Sequence, residues 1–218
     1  MVSAVDDALF RYAVDIRHGA YLPHWTLPGA TYHVVFRLAD SLPAAVLDDW
    51  ERERATLLMQ MRGGDCGSAS DLAERWQVLF SERVERFLDA GSGECWLRRP
   101  EVAAIVVETL SHFDGVRYVL DAWCVMPNHV HAIVRPKEAW PLSSVLKSWK
   151  GYSARQANRV LGRAGAFWQP ETYDRLLRDG ADRCAAVRYV LNNPETAGLL
   201  RWRWRGCSEQ VRRAIDAA

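Results

Sequence analysis

The chain has 218 residues, 49% of them hydrophobic, and a formal net charge of +1. These values predict one folded domain, or a domain with a sizeable insertion, and exclude an intrinsically disordered chain. Because no run of eighteen apolar residues occurs and the acidic N-terminus is unlike a signal peptide, we expect a cytoplasmic protein without a membrane partner.

The first part of the chain predicts one strand followed by helices. β-Branched and aromatic residues after the Pro28-Gly29 turn signal predict a strand over residues 31–38. Beyond Pro43, apolar residues at helical spacing predict helices over about 44–60 and 71–89. We interpret residues 44–100 as a helical insertion within a single domain that spans residues 1–218.

The second part predicts a strand pair between helices. The two strands follow each other across the Pro127-Asn128 turn and should form an antiparallel hairpin. Proline disfavours helix in the residue before it, so the last helix should end before Pro194. The elements are a helix at 100–113, strands at 118–126 and 129–135, a basic helix at 142–161, a short strand or turn at 172–178, a helix at 181–193 and a basic tail at 201–218. They predict an α+β domain, a small antiparallel sheet covered by helices.

Charge is divided unevenly along the chain. Residues 143–213 contain fourteen Lys and Arg against six Asp and Glu, a net +8, whereas residues 1–142 contain fourteen against twenty, a net −6. This asymmetry favours a polyanion such as nucleic acid as a partner of the C-terminal part. Candidate phosphate contacts are Lys147, Lys150, Arg155, Arg159, Arg163, Arg175 and Arg178. Candidates for stacking on unpaired bases are Trp149, Trp168, Trp202 and Trp204, although most of the ten tryptophans must pack in the core.

Two histidines share one face of the second hairpin strand. Residues i and i+2 of a strand point the same way, so His129 and His131 project together, about 6–7 Å apart along the strand. With hard oxygen co-ligands, such a pair suits Mg²⁺ or Mn²⁺. Two half-buried strand histidines with ordinary hydrogen bonds are the alternative interpretation.

A tyrosine and an amide share one face of the last predicted helix. Tyr189 and Asn193 are four residues apart, so the amide oxygen is a candidate metal ligand and the phenol a candidate nucleophile. A phenol pKa of about 10 requires a metal or a base for attack at neutral pH. The alternative is a tyrosine packed on the sheet, with Asn193 near the helix C-terminus. Tyr152 and Tyr173 are competing tyrosines.

A series of short motifs in fixed order resembles one known family. The set resembles the REP-associated tyrosine transposases, a branch of the single-strand insertion-sequence transposases of the HUH superfamily, over roughly residues 20–200. The motifs are Tyr32-His-Val-Val-Phe-Arg37, Gly93-Glu-Cys-Trp-Leu97, Asp114-Gly-Val-Arg-Tyr118, Met126-Pro-Asn-His-Val-His131, Lys150-Gly-Tyr-Ser-Ala-Arg155, Phe167-Trp-Gln-Pro170, Asp174-Arg175 and Tyr189-Val-Leu-Asn-Asn-Pro194.

This resemblance implies an HUH/ferredoxin-like fold and a metal-dependent nuclease that cleaves and rejoins single-stranded DNA hairpins of the REP type. It implies that His129, His131 and Asn193 bind Mg²⁺ or Mn²⁺ and that Tyr189 forms a 5′-phosphotyrosine intermediate. Asn193 is one methylene shorter than the Gln that the family also uses there. The resemblance is compatible with a monomer or a homodimer.

Three other functions are compatible with the sequence. The chain could be a domesticated DNA-binding protein that does not cleave, or an RNA-binding module built on a small sheet. A metal-dependent hydrolase with water as its nucleophile is the third, and it would not need Tyr189.

Overall fold

The computed structural model of the chain describes residues 15–18, 23–27, 29–43 and 87–216, together with isolated helical positions between 45 and 59. Most of the helices predicted at 71–89 and 44–60 lies outside these residues, so the insertion remains a prediction. Within the described ranges, no helix has the length and apolar character needed to cross a membrane. Two short strands, β1 (Asp15–His18) and β2 (Pro23–Thr26), pair as a hairpin that the sequence patterns did not reveal.

A five-stranded antiparallel sheet forms the centre of the fold. Its spatial order is β6-β3-β5-β4-β7. The strands are β3 (Thr31–Arg37), β4 (Tyr118–Val125), β5 (His129–Pro136), β6 (Tyr173–Leu177) and β7 (Arg205–Cys207). The helices are α1 (Pro100–Ser111), α2 (Leu142–Leu161), α3 (Gly180–Thr196) and α4 (Glu209–Asp216). From β3 to β6 the described elements follow the β-α-β-β-α-β succession of ferredoxin-like folds, which confirms the predicted α+β class.

One face of the sheet packs against α1 and α2. Alternate residues of β5 point to this face and are fully buried, as the period of two of a strand requires. Trp149 of α2 donates its indole N–H to Tyr118 Oη at 2.9 Å, and Tyr118 Oη donates to the Leu110 carbonyl at 2.8 Å. This chain of hydrogen bonds lets two large aromatic side chains be buried without leaving a polar atom unsatisfied.

The opposite face packs against α3 and α4. Apolar residues from α3, including Val187 and Val190, meet Ile133 of β5 and Cys124 of β4. His129 and His131 alternate with the residues of the first face, so they lie on this second face. The strand period therefore places the histidine pair on the side of the sheet that α3 covers.

The structure changes two expectations for the C-terminal region. The prediction that the last helix ends before Pro194 was wrong, because α3 continues through Pro194 to Thr196. In the final turn, the missing proline N–H removes a single helical hydrogen bond, which is a small loss beside the packing of the helix. Part of the region interpreted as a basic tail is folded, since β7 pairs with β4 and α4 follows it.

Gly93 lies in a turn that no other residue can occupy without strain. Its φ is +85°, and a Cβ atom would lie 2.6 Å from the Asp40 carbonyl oxygen. We expect Gly93→Ala to lower the free energy of unfolding by about 3 kcal/mol, from a left-handed backbone and a steric clash together. Gly115→Ala is the matched control, because Gly115 has φ +74° with nothing within 4 Å of the added carbon. Equal losses for the two variants in urea unfolding would contradict the role assigned to the Asp40 contact.

Candidate active site

The two histidines of β5 converge through their Nε2 atoms. His129 and His131 are both buried, and their Nε2 atoms are 2.9 Å apart. Two neighbouring ligands bound at 2.0–2.1 Å to one octahedral ion are separated by about 2.9 Å. The spacing of the two nitrogens therefore fits shared coordination of one cation.

The remaining ring nitrogens of this pair are held by other buried side chains. His129 Nδ1 lies 2.8 Å from Asn128 Oδ1, and His131 Nδ1 lies 3.1 Å from His33 Nε2. The rings of His33 and His131 stack with their centroids 5.3 Å apart. Such contacts fix the orientation of both candidate ligands before any ion binds.

Helix α3 brings Tyr189 to the histidines. The Tyr189 ring centroid lies 5.7 Å from that of His131 and 5.8 Å from that of His33, and the side chain is 38% exposed. One turn further along, Asn193 is buried, and its Oδ1 atom has no hydrogen-bond partner among the described residues. A buried carbonyl oxygen without a donor is costly, which a cation would relieve.

The donor set at this site is two imidazoles and one amide. Among the described residues, no three His, Cys, Asp or Glu side chains are grouped to hold a metal ion. On α3, Asn193 could supply a neutral amide oxygen. Two imidazoles and one amide would occupy only three coordination positions of a hard cation. The remaining positions would be open to a phosphate oxygen and to water.

Burial keeps all three histidines of this site neutral at physiological pH. Desolvation is the main cause and lowers the pKa of His131 to about 3. The pKa values of His33 and His129 lie well below their usual range, first through burial and then through the neighbouring His131. Neutral imidazoles are the form that binds metal, so the pair is ready to coordinate an ion at neutral pH.

The lowered histidine pKa values make the metal-free fold sensitive to acid. The unfolded chain takes up protons below pH of about 6.5 that the folded chain does not, so stability falls as pH falls below that value. Each histidine adds at most about 1.4 kcal/mol per pH unit to the slope of the free energy of unfolding against pH. We expect urea unfolding in chelator, from pH 7 to pH 5, to show a shallower slope for His33→Gln than for the unmodified chain. Parallel slopes would contradict the depressed pKa of His33.

An ion pair fixes α3, and with it Tyr189, to the sheet. The Arg183 guanidinium forms two hydrogen bonds of 2.7 Å to Asp121, whose side chain is 2% exposed. Asp121 lies where the pairing of β4 with β5 shifts register, between Leu120 and Ala122. This irregularity places the carboxylate under α3.

Replacing the cation of that ion pair should loosen α3. We expect Arg183→Met to lower the free energy of unfolding by roughly 2–3 kcal/mol, because Asp121 is left as a buried charge while Arg183 itself is 37% exposed. The double variant Asp121→Asn/Arg183→Met should recover most of this loss. Thermal and urea unfolding measure both effects, and additive losses in the double variant would show that the pair is not coupled.

The predicted phosphate contacts fall into two groups. Four of them are exposed, namely Lys147, Arg155 and Arg159 on α2 and Arg178 after β6. The other three are less exposed and contact neighbouring groups. Lys150 Nζ donates to the Pro170 carbonyl at 2.7 Å, and burial lowers its pKa to about 8. Arg163 lies over the Trp96 ring, and Arg175 forms an ion pair of 2.8 Å with Asp182.

The tryptophans proposed to stack on bases are largely structural. Trp149 and Trp168 are buried, and Trp168 Nε1 donates to Ser153 Oγ at 3.0 Å. Both rings are therefore almost fully covered by the protein, which leaves little surface for stacking on unpaired bases. Trp202 is partly buried and donates to the Val125 carbonyl at 2.7 Å, and Trp204 packs partly against the core.

The sequence patterns did not identify two residues of the site. Asn128 was interpreted only as part of a turn, and His33 only as part of a strand. His33 could have been found from alternation, since it shares a face of β3 with Val35, which lies opposite His131. Of the competing tyrosines, Tyr173 lies near His33, with ring centroids 6.3 Å apart. Tyr152 lies on α2, which packs against the other face of the sheet.

Comparisons with known proteins found similarity to a solved structure and to a family model. The structure of a REP-associated tyrosine transposase bound to a REP hairpin is similar at 16% identity, covering 92% of this chain and 85% of the other, with a TM-score of 0.46. No curated protein sequence matches the chain. Residues 99–191 match the family model described as "Transposase IS200 like". The matched segment contains His129, His131 and Tyr189.

Proposed function

We propose that this protein is a metal-dependent endonuclease and strand transferase that acts on single-stranded DNA hairpins of palindromic repeats. Its nucleophile would be Tyr189, and its intermediate a 5′-phosphotyrosine. The observation that carries the proposal is the contact between the Tyr189 ring and the ring of His131, whose Nε2 atom converges with that of His129. A transposase of this class needs both elements, a nucleophile and a centre that offsets charge on a phosphate.

His129, His131 and Asn193 would hold Mg²⁺ or Mn²⁺, consistent with the spacing of the two nitrogens and the unsatisfied Asn193 oxygen. When bound, a divalent ion polarises the scissile phosphate and offsets the charge that develops on its oxygens. The Tyr189 oxygen attacks phosphorus and loses its proton, and the 3′-oxygen leaves and gains one. A 3′-hydroxyl attacking the phosphotyrosine reverses these bonds and rejoins DNA without ATP.

The basic surface of α2 would bind the DNA backbone. Lys147, Arg155 and Arg159 are exposed there, and a cleft of about 640 Å³ separates α2 from residues 165–172. Lys147 lines this cleft, as does Trp168 at its buried wall. Cationic side chains beside an open groove are suited to bind the phosphates of a folded DNA strand. The affinity of the protein for such a strand should fall as the salt concentration rises.

The alternative functions have less support. An RNA-binding module would present aromatic side chains on the central strands, but β5 is buried on both faces except at Arg135. A hydrolase would not require Tyr189 beside the histidines. A non-cleaving DNA-binding protein would share the fold and the basic surface, so only activity separates it from the proposed enzyme.

The test is a cleavage assay with hairpin oligonucleotides taken from palindromic repeats that flank the gene. Each oligonucleotide is labelled at either its 5′ or its 3′ end and incubated with Mn²⁺, Mg²⁺ or chelator. We expect the 3′ label to move onto a covalent protein band and the 5′ label onto a shorter free strand, in the presence of metal only. The same sequence as RNA is the control for substrate class.

Each other outcome assigns a different function. Shortened strands without a covalent band would indicate hydrolysis by water. Binding without cleavage would indicate a DNA-binding protein. Processing of RNA in preference to DNA would overturn the substrate class.

A further inference from the structure

Asn128 joins the histidine site to the loop before α1. Its side chain is fully buried, and its Nδ2 atom donates to the Ser92 carbonyl at 2.9 Å. Its Oδ1 atom lies 2.8 Å from His129 Nδ1. The amide therefore has one fixed partner at each end.

The two ends of this amide are chemically distinct. A backbone carbonyl can only accept a hydrogen bond, so the NH₂ end of Asn128 must face Ser92. The oxygen end then faces His129, and because this oxygen only accepts, His129 Nδ1 must carry the proton. In a neutral imidazole the other nitrogen, Nε2, is left with its lone pair. That lone pair is directed at His131 Nε2.

The Asn128 backbone is held as firmly as its side chain. Its carbonyl accepts from the Leu38 N–H at 2.8 Å, at the end of β3. The loop that carries Ser92 is fixed in turn by Asp40, whose Oδ2 atom accepts from the Glu94 N–H at 2.9 Å. The Asn128 amide therefore cannot turn over without breaking its hydrogen bonds to Ser92 and His129.

We propose that Asn128 is a positioning residue, which sets the tautomer of His129 and directs its Nε2 lone pair to the metal. This inference rests on the proposed function, since it assumes that the histidine pair binds an ion. It assigns to the Asn of the Met126–His131 motif a role separate from that of a turn residue. Loss of a residue that hydrogen-bonds to a metal ligand typically weakens metal affinity by about 10–100-fold.

Two substitutions separate this role from support of the loop. Asn128→Asp keeps an oxygen that accepts from His129 Nδ1 but loses the donor to Ser92, whereas Asn128→Ala loses both bonds. We expect the Mn²⁺ dissociation constant, measured by calorimetry, to stay within about threefold for Asn128→Asp and to rise about 10–100-fold for Asn128→Ala. Thermal unfolding shows whether each variant remains folded.

A second measurement needs no metal. Long-range ¹⁵N–¹H correlations report which imidazole nitrogen carries the proton, and we expect His129 in the metal-free, unmodified chain to be protonated at Nδ1. A proton at Nε2 of His129 would overturn the inference.

The outcomes distinguish the inference from the proposed function. Equal Mn²⁺ affinity for the unmodified chain and a folded Asn128→Ala would overturn the role of Asn128 alone. Equal weakening by both substitutions would assign Asn128 to loop support and also overturn it. No Mn²⁺ binding by the unmodified chain would overturn the metal site, and the inference with it.

Discussion

Tyr189→Phe is expected to abolish the covalent protein–DNA product while leaving hairpin binding unchanged. Phenylalanine retains the ring that contacts His131 and His33 and removes only the oxygen that would attack phosphorus. Loss of a covalent nucleophile typically reduces turnover by roughly 10⁶-fold, which places the variant below detection. The measurements are the 3′-label transfer assay and a binding titration at constant salt.

Tyr173→Phe is the matched control for this substitution. Tyr173 also approaches His33 edge-on, with ring centroids 6.3 Å apart, but lies on β6 rather than on α3. We expect this control to keep covalent product formation. Transfer of label to the Tyr189→Phe protein would show that another tyrosine is the nucleophile, and loss in Tyr173→Phe alone would identify it.

His131→Ala is expected to remove both metal binding and cleavage. His131 contributes one of the two convergent Nε2 atoms, and it contacts His33 on the other side of its ring. We expect Mn²⁺ affinity to fall at least about 100-fold and strand cleavage to fall at least about 10³-fold, because charge on the phosphate would no longer be offset. Calorimetry and the cleavage assay measure these changes.

His112→Ala is the control for histidine replacement in general. His112 is exposed after α1 and contacts Phe113, away from the histidine pair. It should bind Mn²⁺ and cleave DNA as the unmodified chain does. A His131→Ala protein that is folded and still cleaves in chelator would contradict metal dependence.

The fold followed from the sequence where periodicity was strong and local. The β4–β5 hairpin and α2 matched their predicted bounds closely, because alternation and helical spacing report which face of an element is buried. β7 was missed because three residues, Arg205–Cys207, carry no period, and the strand exists only by pairing with β4. The prediction that the helix ends before Pro194 was wrong because the packing of α3 outweighed the local bias of proline against helix.

The candidate site was only partly accessible from residue spacing. His-x-His alternation placed His129 and His131 together, as the structure has them. Spacing alone did not single out Tyr189, since Tyr152 is likewise followed by an amide four residues later, at Gln156. The family resemblance favoured Tyr189, and the structure supplies a physical reason in the contact with His131. His33 contacts His131 from a different strand, and Asn128 is fixed by Ser92 in a loop 36 residues earlier, so spacing within one element does not reveal either contact.

The ion pair between Arg183 and Asp121 also bears on how many copies of the chain one reaction would need. It fastens α3 to β4 of the same molecule, so the tyrosine lies against the histidines of its own chain. The proposed nucleophile and the proposed metal ligands belong to one polypeptide and would form a complete site without a second copy. Strand cleavage by such a site would be first order in protein, with the same rate per molecule at nanomolar as at micromolar concentration.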